Sequence, residues 1–129
     1  MGKRKGAIAK ISVPQLHGIV GRARLFDRIE QLRPGRTVWI AGPPGAGKTS
    51  LVASLVEARH PRALWYQVDG ADADPAAFFY FLSLAAPGRR VPLPLLQPEY
   101  LPDLGGFAER FFRELFERLP AGAVLVLDN

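Results

Sequence analysis

Nine consecutive residues, Gly42 to Ser50, constrain this chain more than any other stretch of it. Their sequence is GPPGAGKTS, and they follow the apolar run 37–41 and lead into an amphipathic stretch that begins at Lys48. Glycine adopts positive φ without steric cost, so Gly45 and Gly47 allow a tight turn that other residues would resist. The pattern therefore predicts a buried strand over 37–41, a glycine-rich turn and a helix from about Lys48.

This turn matches the pattern G-x-x-x-x-G-K-[ST] of a phosphate-binding loop. In such a loop consecutive N–H groups turn inward and form a cradle for phosphate oxygens, and the next helix adds the partial positive charge of its N-terminus. Lys48 is predicted to reach the β- and γ-phosphates, and the Thr49 hydroxyl to coordinate Mg²⁺. The residues predicted to bind nucleotide here are Gly42, Pro43, Pro44, Gly45, Ala46, Gly47, Lys48, Thr49 and Ser50.

The rest of the chain alternates between helical and strand patterns. Helices are predicted from Leu25 to Leu32, from Lys48 to near His60, from the Asp74–Pro75 pair onward and from Phe107 to Leu119; strands are predicted over 63–68 and 123–127. This alternation favours an α/β fold around a parallel sheet with flanking helices. Five prolines and three glycines between residues 87 and 106 predict a long loop there.

Two further groups of residues are interpreted as structural. Trp65 and the aromatic cluster at 78, 79 and 81 are assigned to the core. Asp69, Asp72 and Asp74 are interpreted as a solvated loop with a helix cap, not as a metal site.

The strand predicted over 123–127 ends in Asp128. In P-loop NTPases an acid at the carboxyl end of such a strand faces the phosphate loop and holds the Mg²⁺ shell. Asp128 and Thr49 are therefore the two predicted metal residues.

Charge and composition limit the classes of function. The net charge is +5, but three of the basic residues lie at positions 3–5 and the remaining arginines are scattered among acids, so direct DNA binding by this segment is not expected. The chain has no cysteine, which excludes disulfides, thiolate zinc sites and a cysteine nucleophile. No apolar run is long enough for a membrane span, so we expect a cytoplasmic protein. Residues 1–18 are predicted to be a basic flexible lead-in, and residues 19–129 a partial P-loop ATP-binding domain.

Four segments resemble the STAND group of signal-transduction ATPases, and within it the bacterial maltose-activator and LuxR-like transcription regulators. The segments are KISVP (10–14) with IVGRARLFDRI (19–29), GPPGAGKTSL (42–51), ALWYQVDGADADPAAFFYFL (63–82) and VLVLDN (124–129). The resemblance implies a nucleotide-gated switch: ATP favours an open, self-associating form, ADP favours a closed one, and attached sensor and DNA-binding domains respond to the state. It also implies that Ile19, Val20, Gly21 and Arg22 border the adenine.

Two positions depart from the pattern of that group. Ala23 stands where its members commonly carry Glu, and Asn129 stands where many carry a second acid that orients or deprotonates the attacking water. An amide can orient water but cannot accept its proton. Lys48, Asp128 and Asn129 are thus the candidate catalytic residues, and nucleotide binding is expected to be more secure than hydrolysis.

The resemblance also implies an incomplete sheet. In the related proteins the strand between the phosphate-loop strand and the strand ending in Asp128 comes from later sequence, so these 129 residues are expected to be an N-terminal part. Two alternatives stay open: an AAA+-like motor or loader, and a module that binds nucleotide without turnover. The chain lacks an Asn-Lys-x-Asp guanine signature, which favours ATP and ADP as ligands.

Overall fold

The computed structural model describes residues 8–15, 22–34, 37–88 and 91–129. The chain divides into two compact units, and each is described by itself. The strand unit comprises Met1–Ser12 with Leu64–Asn129, and the loop unit comprises Val13–Ala63. The boundary expected at residue 18, between a lead-in and a single domain, stays a prediction.

The regular elements confirm the predicted alternation of helices and strands. In chain order they are α1 (Ala23–Leu32), α2 (Lys48–Arg59), β1 (Leu64–Gln67), α3 (Pro75–Ala85), α4 (Leu104–Glu117) and β2 (Leu125–Asp128). Short 3₁₀ helices occupy Ala9–Ile11, Gly70–Ala73 and Pro98–Asp103. The fold is a small α/β arrangement in which helices flank two parallel strands. Among the described residues, no helix has the length and apolar character needed to cross a bilayer.

The two strands pair in parallel within the strand unit. The register places Leu64 beside Leu125 and Gln67 beside Asp128. The Val68 N–H donates to the Asp128 carbonyl at 2.6 Å, which extends the ladder by one bond. Because the carboxyl ends of parallel strands meet at one edge of a sheet, Asp128 lies beside the loop that follows β1.

The prediction of a buried strand over 37–41 is wrong. Val38 and Ile40 are half-buried, but the residues on either side are exposed, and Trp39 retains 88% of its accessible surface. A run of apolar residues indicates an extended backbone. A strand also needs a neighbouring strand to form hydrogen bonds with, and the run alone does not show one. In the part of the chain that the structure describes, residues 37–41 form no strand.

The core of the strand unit is aromatic, as predicted. It joins one face of β1 to α3 and α4 through Tyr66, Phe79, Leu82, Phe107, Phe111 and Leu115. The Phe79 ring meets the edges of Phe107 and Phe111 at centroid distances of 4.9 and 4.8 Å. These edge-to-face contacts add to the free energy of burying such large rings. Trp65 is also buried, with 1% of its surface exposed.

The predicted loop over 87–106 is only partly confirmed, because its last residues are helical. Pro98–Asp103 form a 3₁₀ helix, and α4 starts at Leu104 instead of Phe107. The Asp103 carboxylate accepts a hydrogen bond from the Gly106 N–H at 3.0 Å and so caps α4. The cap explains why two glycines can occupy the first turn of this helix.

The middle of this proline-rich segment is anchored to the strand unit. Leu93 is buried with 4% of its surface exposed and belongs to the aromatic core. At the end of α4, the Arg118 guanidinium donates to the carbonyls of Gly88, at 3.0 Å, and Val91. Leu93 and the Arg118 contacts therefore tie individual residues of this segment to the strand unit, while most of its described residues are exposed.

The three acids after β1 have different roles. Asp74 caps α3 by accepting from the Ala76 N–H at 3.0 Å, which confirms the predicted helix cap. Asp69 caps the 3₁₀ turn Gly70–Ala73 in the same way. The interpretation of Asp72 as solvated is wrong, since only 6% of its side chain is exposed.

Asp72 is buried because it binds two polar groups that come from elsewhere in the unit. The Lys10 ammonium lies 2.7 Å from Asp72 and 3.0 Å from Asp69, and it also donates to the Gln67 carbonyl at 2.9 Å. The Tyr66 hydroxyl donates to the second Asp72 oxygen. Lys10 further lies over the Tyr66 ring, 4.7 Å from its centroid. These contacts fasten the 3₁₀ turn Ala9–Ile11 to the carboxyl end of β1.

The network shifts the pKa values of its members. Burial alone would lower the pKa of Lys10, but the hydrogen bonds to Asp72 and Asp69 outweigh it and raise that pKa above its usual value. Burial would raise the pKa of Asp72, but the hydrogen bonds from Lys10 and Tyr66 outweigh it and lower that pKa. Burial and the bond to Asp72 both raise the pKa of Tyr66. The arrangement therefore stabilises the ionised Lys10–Asp72 pair.

We expect the free energy of unfolding of the Asp72→Asn variant to depend less on pH in the acid range than that of the unsubstituted protein. The pKa of Asp72 is lower in the folded than in the unfolded chain, so its contribution is present above the unfolded value of about 4 and is lost as the pH falls below it. At pH 7 the substitution should lower the free energy of unfolding by about 2 kcal/mol. Urea unfolding between pH 7 and 2 measures both effects. Glu117→Gln, at an exposed site, is the control, and an Asp72→Asn profile parallel to that of the unsubstituted protein would contradict the expectation.

Candidate phosphate-binding site

The glycine-rich turn before α2 has the backbone conformation that its sequence predicts. Gly45 and Gly47 have φ values of +80° and +83°. Between them, the Ala46 N–H donates to the Pro43 carbonyl at 3.1 Å. Since only glycine adopts these angles readily, the two residues fix the direction in which the chain enters α2.

Lys48, the first residue of α2, folds back over the turn. Its ammonium donates to the Gly42 carbonyl at the start of the loop. A methyl group on Gly42 would lie 3.4 Å from the Ala46 side chain and 3.6 Å from Cδ of Lys48, so the two ends of the loop approach each other closely. The Lys48 ammonium therefore lies against the start of the loop, at the Gly42 carbonyl.

The N-terminus of α2 is not capped by a side chain. Gly47 occupies the cap position, and the first turn contains no acid. The first N–H groups of an α-helix have no partner within the helix and carry its partial positive charge. Residues 42–46 are exposed, and Lys48, Thr49 and Ser50 are half-buried, so a ligand can approach from the loop side.

Side chains of and next to α1 contact both ends of α2 within the loop unit. At one end, Nη2 of Arg22 lies 3.6 Å from the position that a methyl group on Gly47 would take. At the other, Arg59 donates to Asp27 at 2.8 Å, and His60 is hydrogen-bonded to Glu30. Because Arg22 precedes α1 and Gly47 precedes α2, the two helices start at the same end.

The His60–Glu30 contact was not predicted from the sequence. The hydrogen bond from His60 lowers the pKa of Glu30, and the charge of Arg33 adds to the effect against the opposing effect of burial. His60 and Glu30 are thirty positions apart. No spacing rule within one helix links residues at that separation, so the sequence carried no signal for the pair.

The residues assigned to the adenine are only partly described. Ile19, Val20 and Gly21 lie outside the described residues. Arg22 is described, is exposed, and lies next to the turn before α2.

The remaining site residues belong to the strand unit. Asp128 is the last residue of β2 and is half-buried, and Asn129 follows it and is exposed. The phosphate loop belongs to the loop unit. A shared role for Thr49 and Asp128 at a metal ion therefore stays a prediction. Among the described residues, no group of three or more His, Cys, Asp or Glu side chains is arranged to hold a metal ion.

Comparison with known proteins finds P-loop ATPases of two kinds. The chain is 32% identical over 75 residues to the HTH-type transcriptional regulator MalT of Vibrio cholerae. That alignment covers 57% of this chain and 8% of the regulator. It is 34% identical over 139 residues to the mycobactin import ATP-binding/permease protein IrtB of Mycolicibacterium thermoresistibile, covering 98% of this chain and 24% of that protein. It is 39% identical over 76 residues to the cytochrome c biogenesis ATP-binding export protein CcmA of Bordetella parapertussis, covering 57% of this chain and 33% of that one.

These similarities are partial. The chain spans a third or less of the length of each of these relatives. No family model and no solved structure matches it. The comparisons therefore establish a distant relationship to nucleotide-binding ATPase domains, without a choice between the regulator and the transporter kinds.

We expect Gly47→Ala to destabilise the protein through the backbone. The added methyl group meets Arg22 at an ordinary contact distance, but a non-glycine residue at φ +83° costs about 1–2 kcal/mol. Urea unfolding should show a loss of that size. Gly70→Ala is the matched control, because that glycine has no positive φ and open space around it. Equal losses in the two variants would contradict a strained role for Gly47.

Proposed function

We propose that this chain is the ATP- and Mg²⁺-binding switch module of a signal-transduction ATPase. The observation that carries the proposal is the geometry of the loop. Two glycines at positive φ direct an uncapped helix N-terminus toward the exposed turn, and the Lys48 ammonium lies over it. Backbone N–H groups, a helix N-terminus and a lysine are the three elements with which proteins bind the phosphates of a nucleotide.

Each site residue has a role in this proposal. Lys48 moves from the Gly42 carbonyl to the β- and γ-phosphates. The backbone of 42–49 surrounds the phosphate oxygens, with N–H donors at every position except Pro43 and Pro44. A Mg²⁺ ion bound with the nucleotide would offset the negative charge of the phosphates. The Thr49 hydroxyl and the Asp128 carboxylate would hold the ion, since both present the oxygen donors that Mg²⁺ prefers. Asn129 orients water without taking its proton.

The regulatory part of the proposal rests on the similarity to a transcription regulator. In a longer polypeptide of that type, attached sensor and DNA-binding domains would respond to the bound nucleotide, and the ATP form would self-associate. The base is proposed to be adenine, since the chain has no guanine signature.

A second candidate is the ATP-binding module of a transport ATPase. The alignment to the import protein favours it, because that alignment spans 98% of this chain. Both candidates require MgATP at the loop, but a transport ATPase or an AAA+-like motor also requires turnover. A module that binds nucleotide without turnover is favoured by the amide at Asn129.

We expect MgATP to raise the thermal stability of the full chain through Lys48. A ligand at 100 times its Kd stabilises the folded state by about 2.7 kcal/mol. Lys48→Ala should remove most of that shift, because its ammonium contacts the loop at the Gly42 carbonyl. Thermal melting with and without MgATP measures the effect.

Arg62→Ala is the matched control, since it removes one positive charge from an exposed site of the same unit. It should leave the shift intact. An absence of any shift, or an equal loss in both variants, would contradict nucleotide binding at the loop. Phosphate release in the same samples separates the candidates, because steady turnover would favour a transport or motor ATPase over a switch.

A further inference from the structure

The Lys10 ammonium lies in a pocket of acceptors and aromatic rings in the strand unit. The carboxylates of Asp69 and Asp72 lie 3.0 and 2.7 Å from Nζ, and a backbone carbonyl of β1 accepts from it at 2.9 Å. The ring centroids of Tyr66 and Phe81 lie 4.7 and 5.6 Å away. Carboxylates and the faces of aromatic rings both attract a cation. The arrangement, which we call the ammonium pocket, therefore suits a lysine side chain.

The groups that form the ammonium pocket come from a different part of the sequence than its occupant. They all belong to Leu64–Asn129, whereas Lys10 belongs to residues 8–12, which we call the strap. Between the two parts the chain runs through the whole of Val13–Ala63, which is a separate compact unit. The strap therefore docks on a surface of distant sequence, without a short connection to it.

Outside Lys10, the strap contributes little apolar contact to the strand unit. Ile8 retains 45% of its accessible surface and Ala9 is exposed, while Ile11 packs against the aromatic core. An open strap would leave the Asp72 carboxylate, with 6% of its side chain exposed, without its cation. A poorly solvated charge that loses its partner is costly. An opened chain thus carries a free ammonium and an empty pocket that are complementary in charge.

We propose that the ammonium pocket also binds the strap of a second copy of this chain, so that two chains associate by exchanging Lys10. In the exchanged dimer the Lys10 ammonium of each chain contacts Asp69 and Asp72 of the other. The contacts are those of the closed monomer, and the interface is isologous because strap and pocket serve on both chains. Closure within one chain has the advantage of a high effective concentration, so the dimer is favoured only as the protein concentration rises.

Zero-length cross-linking of the unsubstituted full chain tests the exchange directly. A carbodiimide joins an ammonium to a carboxylate that it contacts, and 53% of the Asp69 side chain is exposed to the reagent. Isotope-labelled and unlabelled protein are mixed in equal amounts, incubated over a range of concentrations and cross-linked. Mass spectrometry then identifies the linked Lys10 and Asp69 peptides.

Linked peptides of mixed isotope require exchange, and we expect their share to rise with protein concentration. Linked peptides of a single isotope at every concentration would overturn the proposal. A failure of Lys10 and Asp69 to link would overturn it as well, because the pocket itself would then not hold the ammonium.

Reciprocal charge variants test the same interface through association. Lys10→Glu places a carboxylate among carboxylates, and Asp72→Lys places one ammonium beside another, so neither strap docks well in its own chain. In a mixture, the strap of the Asp72→Lys chain meets an intact pocket, and the introduced glutamate meets the introduced lysine. Sedimentation equilibrium should give a mixed dimer with an association constant about tenfold above that of either variant alone. A chain carrying both substitutions should close on itself and behave as the unsubstituted protein does.

Arg62→Glu with Glu57→Lys is the matched control, because it makes the same changes of charge at exposed positions outside the pocket. Mixing these two variants should give no dimer. The proposal is overturned if the mixture of Lys10→Glu and Asp72→Lys has the same association constant as each variant alone, or if the control mixture associates equally well. Circular dichroism of each variant verifies that it is folded. If one is not, the cross-linking experiment, which needs no substitution, decides the question.

Discussion

Two positive φ angles, at Gly45 and Gly47, determine what the loop unit can do. They reverse the chain just before α2, so that the helix begins without a side-chain cap and Lys48 turns back to the first carbonyl of the loop. The Arg59–Asp27 and His60–Glu30 contacts hold α1 beside α2 at the far end. Arg22 is thereby positioned next to Gly47. The glycine turn and the two contacts at the far end thus place Arg22 and Lys48 near the exposed start of α2.

In the strand unit, the carboxyl edge of a two-stranded sheet is stabilised by contacts from outside the strands. The pair of four-residue strands is short, and its edge is held by the Lys10, Asp72 and Tyr66 network together with the aromatic core beneath. Removing one partner from this part-buried pair leaves the other charge without a counter-charge that it contacts directly. The network therefore restricts the conformation of the edge at which Asp128 ends β2.

Local patterns predicted most of this fold. The glycine turn, the bounds of α2 and the Asp74 cap are short-range features whose causes lie within a few residues. The part-buried Lys10–Asp72 pair joins residues 62 positions apart, a separation that local patterns do not encode. The strand expected over 37–41 was misassigned because apolar spacing does not encode a hydrogen-bonded neighbour. Of the site, the loop was recognisable from its spacing, but the position of Arg22 beside Gly47 was not. The early start of α4 follows from one aspartate whose capping role the proline-rich composition concealed.

Amide chemical shifts of the isotopically labelled full chain, recorded with and without MgATP, test the central claim most directly. A ligand held by backbone N–H groups changes the electronic environment of those amides first. The account predicts that the largest changes fall on Gly45, Gly47 and Lys48. Changes concentrated on α4 or elsewhere in the strand unit, with the amides of Gly45, Gly47 and Lys48 unchanged, would contradict it.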